Sequence, residues 1–438
     1  MQLIFRLAGF GLAVLAASPA LGATLEEAWA IHGQATFVEQ YHPAFRSAFR
    51  GANSLDPGSR GDETFDATVF AGARPWDGGE AWADLEVDQG FGLSNTLGVA
   101  AFPSAEAYKV GKSTPYARLH RLFFRQTFDL GGEEETVQGA ANQLAGTRTA
   151  DNLVLTAGKF AVTDIFDTNS YAHDARGDFL NWAIVDAGAF DYAADAWGYS
   201  YGIAAEWSVS DWTLRGGLFD LSKVPNTTEL ERDFSQFELV AEIERRVTLG
   251  GQGGKLKLLG FVNRGRMGSY RDAVAQAGGM PADTSLVRHY RSRPGVALNA
   301  EQGLTDDLGA FLRASLNDGS QESYEFTDMH RSLSAGLSLK GARWDRGGDT
   351  VGIAAETGAI SKAAQAYLAA GGLGILVGDG RLRRYADEVA AEAYYDAQIT
   401  GGIDMALDYQ FVVNPAYNAQ RGPVSVLGLR LHGDFPAR

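Results

Sequence analysis

Apolar and polar residues alternate along most of this chain with a period of two. In "SLSAGLSLK" (Ser332–Lys340), Leu333, Ala335, Leu337 and Leu339 share one face, while Ser334, Gly336 and Ser338 share the other. In "GIDMALDYQF" (Gly402–Phe411), Ile403, Met405, Leu407, Tyr409 and Phe411 oppose Asp404, Asp408 and Gln410. In "GAFLRASLND" (Gly309–Asp318), Ala310, Leu312, Ala314 and Leu316 alternate with Phe311, Arg313, Ser315 and Asn317. Successive side chains of a strand point to opposite faces, so this period predicts strands with one apolar side. Such segments fall near 32–41, 64–73, 80–88, 119–129, 152–160, 197–207, 211–220, 235–247, 255–264, 293–303, 307–317, 330–340, 349–357, 388–398, 401–412 and 423–435. Most have the length of a tilted membrane-spanning strand, longer than an average globular one. Their number is even, as in the single-chain barrels of bacterial outer membranes.

The connections sharpen the choice between a soluble sandwich and a barrel. Long ones, at 42–63, 89–118, 161–196, 221–234, 265–292, 318–329, 358–387 and 413–422, take turns with short links such as "SVSD" (Ser208–Asp211) and "ITGG" (Ile399–Gly402). A barrel threaded through a membrane has short turns on one side and long loops on the other, and a sandwich has no reason to keep that parity. "LGGEEETVQGAANQLAGTRTAD" (Leu130–Asp151) is long where a short link is due, and reads as an extended periplasmic turn. The alternation therefore predicts an all-β fold, a transmembrane antiparallel barrel of sixteen strands. Tyr199, Tyr201 and Trp207, near segment ends, are expected in aromatic girdles.

Composition removes competing readings. The 438 residues hold 54 glycines, 12 prolines and no cysteine, which suits many strands with tight turns and excludes disulfides and thiol chemistry. Thirty-eight Lys and Arg against 54 Asp and Glu leave a net charge of -16, which argues against nucleic acid as a partner. The leader "MQLIFRLAGFGLAVLAASPALGA", with Arg6 before a short apolar run, reads as a signal peptide over 1–23. Residues 24–438 are then one barrel domain, and no later segment can span as a helix.

Sixteen strands enclose a water-filled lumen, whereas eight would be filled by their own side chains. Parity assigns to the lumen wall Arg121, Arg125, Glu206, Arg215, Glu238, Glu242, Arg313, Glu356, Glu392, Asp404, Asp408, Arg430 and His432. Rings of one sign select ions. A wall of mixed sign suits polyhydroxyl solutes instead: carboxylates accept from hydroxyls, guanidinium groups donate, and aromatic faces cover the apolar side of a sugar ring. The alternative is that these charges only brace the wall.

Long stretches carry a resemblance. "GKFAVTDIFDTNSYAHDARGDFLNWAIVDAGAFDYAADAWGYSYGIAAEW" (Gly158–Trp207), "WTLRGGLFDLSKVPN" (Trp212–Asn226), "GGLGILVGDG" (Gly371–Gly380) and "DYQFVVNPAYNAQRGPVSVLGLRLHGDF" (Asp408–Phe435) resemble the carbohydrate-selective porin family, the OprB type. "FRGANSLDP" (Phe49–Pro57) fits the same family's early loop. The resemblance implies passive, carbohydrate-selective diffusion of mono- and small oligosaccharides across the Gram-negative outer membrane into the periplasm, by a monomer. The alternative is a general or ion-selective porin without sugar preference. The closing strand, with Leu427, Leu429, Leu431 and Phe435 in step, resembles the signal read by the barrel-assembly machinery, so that machinery and outer-membrane lipid are the expected partners.

"DTNSYAHDARGDFLNW" (Asp167–Trp182) has the residue types of a catalytic or calcium site. Asp167, Asn169 and Tyr171 alternate as calcium-loop ligands do, but the required Gly and terminal Glu are missing. By connection order it lies in the third long loop, which in large porins folds inward and narrows the pore. Asp164, Asp167, Asn169, Tyr171, His173, Asp174, Arg176 and Asp178 are accordingly the candidate constriction residues. "GGQGGKL" (Gly250–Leu256) lacks the Ser or Thr of a phosphate loop, and "GGLGILVGDG" lacks the dinucleotide spacing. The seven histidines form no His-x-x-x-His pair, and no Gly-x-Ser-x-Gly elbow occurs. No enzyme activity, cofactor or metal is therefore expected. An exported barrel enzyme would need a Ser or His with an acid on the lipid face near a rim, and none is found.

Overall fold

The computed structural model describes residues 26–107 and 110–436; the expected signal peptide lies outside the described residues. The chain forms sixteen strands: β1 (Trp29–His42), β2 (Arg60–Ala73), β3 (Gly79–Gly90), β4 (Lys112–Val137), β5 (Gly146–Phe160), β6 (Ser200–Val209), β7 (Trp212–Asp220), β8 (Phe237–Leu249), β9 (Gln252–Gly268), β10 (Arg288–Gly303), β11 (Leu308–Asn317), β12 (Arg331–Gly341), β13 (Arg346–Ala359), β14 (Glu388–Thr400), β15 (Ile403–Val413) and β16 (Val424–Pro436). Each pairs antiparallel with its neighbour in sequence, and β1 pairs with β16, from Gly33↔Phe435 to Tyr41↔Leu427, so the sheet closes on itself. Closure leaves no unpaired edge, which backbone in hydrocarbon requires.

The two faces are inverted relative to a water-soluble protein. Leu85, Ile203, Ile353 and Leu407 are 53–60% exposed, whereas Arg293, Arg313 and Arg430 are at most 1% exposed. In β11 the inward set is Gly309, Phe311, Arg313, Ser315 and Asn317, and the outward set is Leu308, Ala310, Leu312, Ala314 and Leu316, as the alternation predicts. An outward belt of apolar side chains is stable only against lipid, because the same area facing water would be an aggregation surface.

The stretch 130–151 differs from a simple extended turn. β4 and β5 continue past the barrel as a hairpin paired to Val137↔Gly146, with register shifts at Gly131 and Glu134. Its tip turns back: Arg125 Nη1 donates to Asn142 O (2.8 Å), and Asn142 Nδ2 donates to Asp84 Oδ2 (2.9 Å). Ser361 caps the helix Lys362–Ala369, its Oγ accepting from Ala364 N at 3.1 Å. Among the described residues the three α-helices, α1 (Trp182–Val185), α2 (Tyr270–Gln276) and α3 (Lys362–Ala369), lie in long loops.

The long loops fold into the barrel mouth, and the molecule's apolar core is there rather than between sheets. Phe102, Phe166, Trp182, Phe190, Tyr192 and Phe219 pack in it. Phe102 and Trp182 stack at 5.1 Å and 15°, joining the loop after β3 to the loop after β5.

The outward face yields a direct expectation. Ile353→Arg, in the middle of β13, should lower the unfolding free energy in lipid by about 2–4 kcal/mol. Ile353→Leu should change it by less than about 1.5 kcal/mol. Urea titration of tryptophan fluorescence in lipid vesicles measures both.

Candidate functional site: a constriction inside the barrel

The segment between β5 and β6, residues 161–199, runs inside the barrel and is tied to its wall by charge. Arg313 donates from Nη1 to Ile184 O (2.9 Å), from Nη2 to Asp167 O (3.0 Å) and Ala172 O (2.7 Å), and from Nε to Asp167 Oδ1 (3.2 Å). Five strands further round the barrel, on β16, Arg430 Nη1 donates to Ala175 O (2.7 Å) and Asp178 O (2.6 Å), and Nη2 to Asp396 (2.6 Å). Carboxylates hold the loop's N–H groups. Glu392 accepts from Leu180 and Asn181 (2.5 and 2.9 Å), Glu242 from Asp167 (2.9 Å) and Glu301 from Ser170 (2.7 Å). A loop with little regular structure leaves many backbone groups unpaired, and these wall residues supply their partners.

This arrangement divides the candidate residues into two sets. Asp167 is buried, with a positive φ of 56°, and its carboxylate receives Arg313, Asn299 Nδ2 (2.6 Å) and Ala187 N (2.7 Å). Asn169 is buried against Asn299 (2.8 Å). Asp178 closes a turn by accepting from His173 N (3.0 Å) and Asp174 N (3.1 Å). Tyr171 lies flat on β11 where Gly309 leaves room; a Cβ there would come within 2.0 Å of the ring. Asp167 and Asn169 are thus buried in contacts with the wall, while Tyr171 and Asp178 are half-buried in theirs. Among the wall residues, Glu242, Arg313, Glu392 and Arg430 are buried and braced by the loop, whereas Glu238 and Glu356 are buried with no hydrogen-bond partner on either carboxylate oxygen among the described residues. Arg121, Arg125, Glu206, Arg215 and Asp404 are only half-buried.

The remaining four, Asp164, His173, Asp174 and Arg176, meet Arg121 at one place. A cavity of about 200 Å³ on the long-loop side and one of about 900 Å³ on the short-turn side have these five side chains in common. They are the boundary between the two vestibules. Arg121 and Asp164 form a two-pronged pair, Nε–Oδ2 at 2.8 Å and Nη2–Oδ1 at 2.6 Å. Arg176 stands among Glu106 (3.4 Å), Asp66 (3.6 Å) and Asp174 (3.8 Å), and Asp174 itself is 57% exposed. Burial raises the pKa of Asp164, but Arg121 outweighs it and holds the carboxyl below its usual range. Burial and then Arg313 push His173 down, so it is neutral at pH 7.

Several lining residues were not anticipated from sequence. Tyr199, expected in a girdle, is buried inside, stacked on His120 at 4.5 Å with Arg121 at 4.9 Å from its ring centre. It precedes β6, so strand parity does not govern it, and Gly198 at φ +99° redirects the chain just before it. Trp197 is covered by Arg118 at 3.4 Å. These aromatic faces are occupied by protein. Asp84, Glu86 and Asp88 in "ADLEVD" face inward at alternate positions, a pattern the parity argument could have found.

The family's sequence profile, described as carbohydrate-selective porin, OprB family, matches residues 52–435. The chain belongs to the carbohydrate-selective porins of the OprB family. No curated protein sequence matches the chain. Among solved structures this porin is similar to the high-pH structure of Pseudomonas putida OprB, with 15% identity, a TM-score of 0.70, and 93% and 94% of the two chains covered. It is also similar to the outer-membrane channel DcaP of Acinetobacter baumannii, with 10% identity, a TM-score of 0.51, and 93% and 97% coverage. Family and fold make this porin a sugar-selective channel of the Gram-negative outer membrane, a channel rather than an enzyme.

Two expectations follow. Arg313→Ala strands Asp167 in a buried site, so the porin should lose about 3–5 kcal/mol in urea unfolding and show flickering single-channel current. Asp186, on the narrower vestibule, is pushed up to about 7 by burial and by Asp167. A raised acid is neutral below its pKa and gains its negative charge above it. Cation preference, read from reversal potentials, should therefore rise between pH 6 and 8 and stay flat in Asp186→Asn.

Proposed function

We propose that neutral mono- and small oligosaccharides cross this porin by exchanging water for hydrogen bonds with Arg121, Asp164, His173, Asp174 and Arg176. The shared boundary of the two vestibules carries this reading, because a solute passing from one to the other meets those five side chains. Donors and acceptors alternate there. Arg121 and Asp164 cancel each other's charge, so the pair presents hydrogen-bonding capacity with little net field. Such a surface favours hydroxyl-rich neutral solutes over ions of either sign.

The pore and its constriction lie within one chain, which supports action as a monomer. The outer apolar belt supports contact with outer-membrane lipid, and the closing strand supports handling by the barrel-assembly machinery. The second reading, a cation-preferring channel, draws on the carboxylates outnumbering the guanidinium around Arg176.

Planar-bilayer recording separates the two readings. Glucose and maltose should each reduce the wild-type current, and liposomes should swell in both sugars. Arg176→Ala removes a charged hydrogen-bond donor, so sugar block should weaken about tenfold. Current unchanged by sugars up to disaccharide size would leave general diffusion as the function.

A further inference from the structure

The link between β4 and β5 is long where a short turn is due, and the sugar path described above leaves it without a role. Pairing of β4 with β3 ends at Gln126, and pairing of β5 with β6 begins at Asn152. The two strands run on together past both neighbours to Val137↔Gly146. Their register slips beside Gly131 and Gly132, whose φ of 113° and 88° suit glycine and few other residues. Slips of this kind bend a ribbon. Here the bend carries residues 138–145 back over the barrel opening.

Several neighbours hold this tip inside the mouth. Arg125 Nη1 donates to Asn142 O at 2.8 Å, and Arg74 Nη2 to Ala145 O at 3.1 Å. Ala145 N donates to Glu27 Oε2 (2.7 Å), and Glu27 N to Ala145 O (3.0 Å). Leu144 is buried in the same apolar cluster as Phe70, Trp82 and Phe123 of β2, β3 and β4. Ala140 and Gln143 close the tip by exchanging N–H···O bonds at 3.0 Å. A loop without such anchors would spread over many conformations; this one is fixed through its backbone and its apolar side chain.

The tip reaches the constriction itself. Asn142 Nδ2 donates to Asp84 Oδ2 at 2.9 Å, and Arg121 Nη1 lies 3.5 Å from the same oxygen. The other edge of Arg121, Nε and Nη2, is taken by Asp164 of the inward loop. The guanidinium is thus held between a loop from one end of the barrel and a hairpin from the other. Asp84 is buried, and both donors meet on one of its oxygens, so loss of Asn142 frees that carboxylate to turn. Ala140, Ala141, Asn142 and Gln143 also line the wider vestibule, which ends at Arg121, Asp164 and Arg176. They fill lumen that a short turn would leave open.

We infer that residues 138–145 form the short-turn half of the constriction. They narrow the pore on that side of Arg121, and Asn142 is a positioning residue that fixes the Arg121 guanidinium through Asp84. What Arg121 does for sugars rests on the function proposed above; the narrowing does not.

The test uses the full-length porin in planar bilayers, with each variant checked for folding by heat-modifiable gel mobility. Replacing residues 138–145 by Asn-Gly, a pair that turns a hairpin in two residues, should raise the open-channel conductance in KCl. Conductance equal to wild type would overturn the narrowing. Asn142 has a φ of 58°, a left-handed conformation that glycine also adopts. Asn142→Gly therefore removes the amide and keeps both the turn and the carbonyl that Arg125 meets. Block by glucose should weaken about two- to tenfold, as for the loss of one hydrogen bond. The reversal potential should shift toward cation preference, because Asp84 then competes with Asp164 for Arg121. In an Asp84→Ala background the same change should have no further effect, since the two residues act through one contact. Block and reversal potential both unchanged in Asn142→Gly, or an equal loss in the Asp84→Ala background, would mean that Asn142 only closes the hairpin. Should glucose leave the wild type unblocked, the sugar reading alone fails, and conductance and reversal potential still decide the inference.

Discussion

Charged side chains sealed inside the barrel need partners, and for Arg313, Arg430, Glu242, Glu301 and Glu392 the backbone of the inward loop provides them. Arg313 and Arg430 end on carbonyl oxygens of residues 167–184, while Glu242, Glu301 and Glu392 end on N–H groups of the same stretch. The need is mutual. A wall charge without the loop would stand in a poorly hydrated recess, and an irregular loop without the wall would leave its amides unpaired. Wall and loop therefore define one another's conformation, and the position of the constriction follows from both.

That mutual bracing explains why similar residue types play unlike roles. Asp167 and Asp174 are seven residues apart, yet one is locked under Arg313 and the other projects into the pore. A passage that discriminates by hydrogen-bond geometry needs its few exposed groups held within a narrow range of positions. On the proposed function, the buried set supplies that rigidity and the exposed set supplies the contacts. Pairing Arg121 with Asp164 keeps the field at the boundary low, which matches solutes that carry many hydroxyls and no charge.

The two ends of the pore are built differently. On the long-loop side, aromatic and apolar loop residues narrow the vestibule to about 200 Å³. On the short-turn side the space is about 900 Å³, and its rim includes the hairpin tip around Asn142, held to Arg125 and Asp84. That hairpin carries Glu133, Glu134 and Glu135 on exposed positions.

The strand plan was legible in the sequence because period-two alternation reports directly which face of a strand meets lipid. The parity of long and short connections reports which side of the membrane each link occupies. Ile353 and Arg313 could be placed on their faces from pattern alone. That Asp164 and Arg176 belong to an inward loop was legible from connection order. Which of the loop's polar residues touch the pore was not, since Asp167 and Asp174 look alike in sequence and differ only in what the wall places beside them. Strand parity fails at Tyr199, which lies outside a strand, and at His120, which owes its direction to a bulge. Alternation is local and determined the barrel. The constriction rests on contacts between residues tens to hundreds of positions apart, which only the closed tertiary structure brings together.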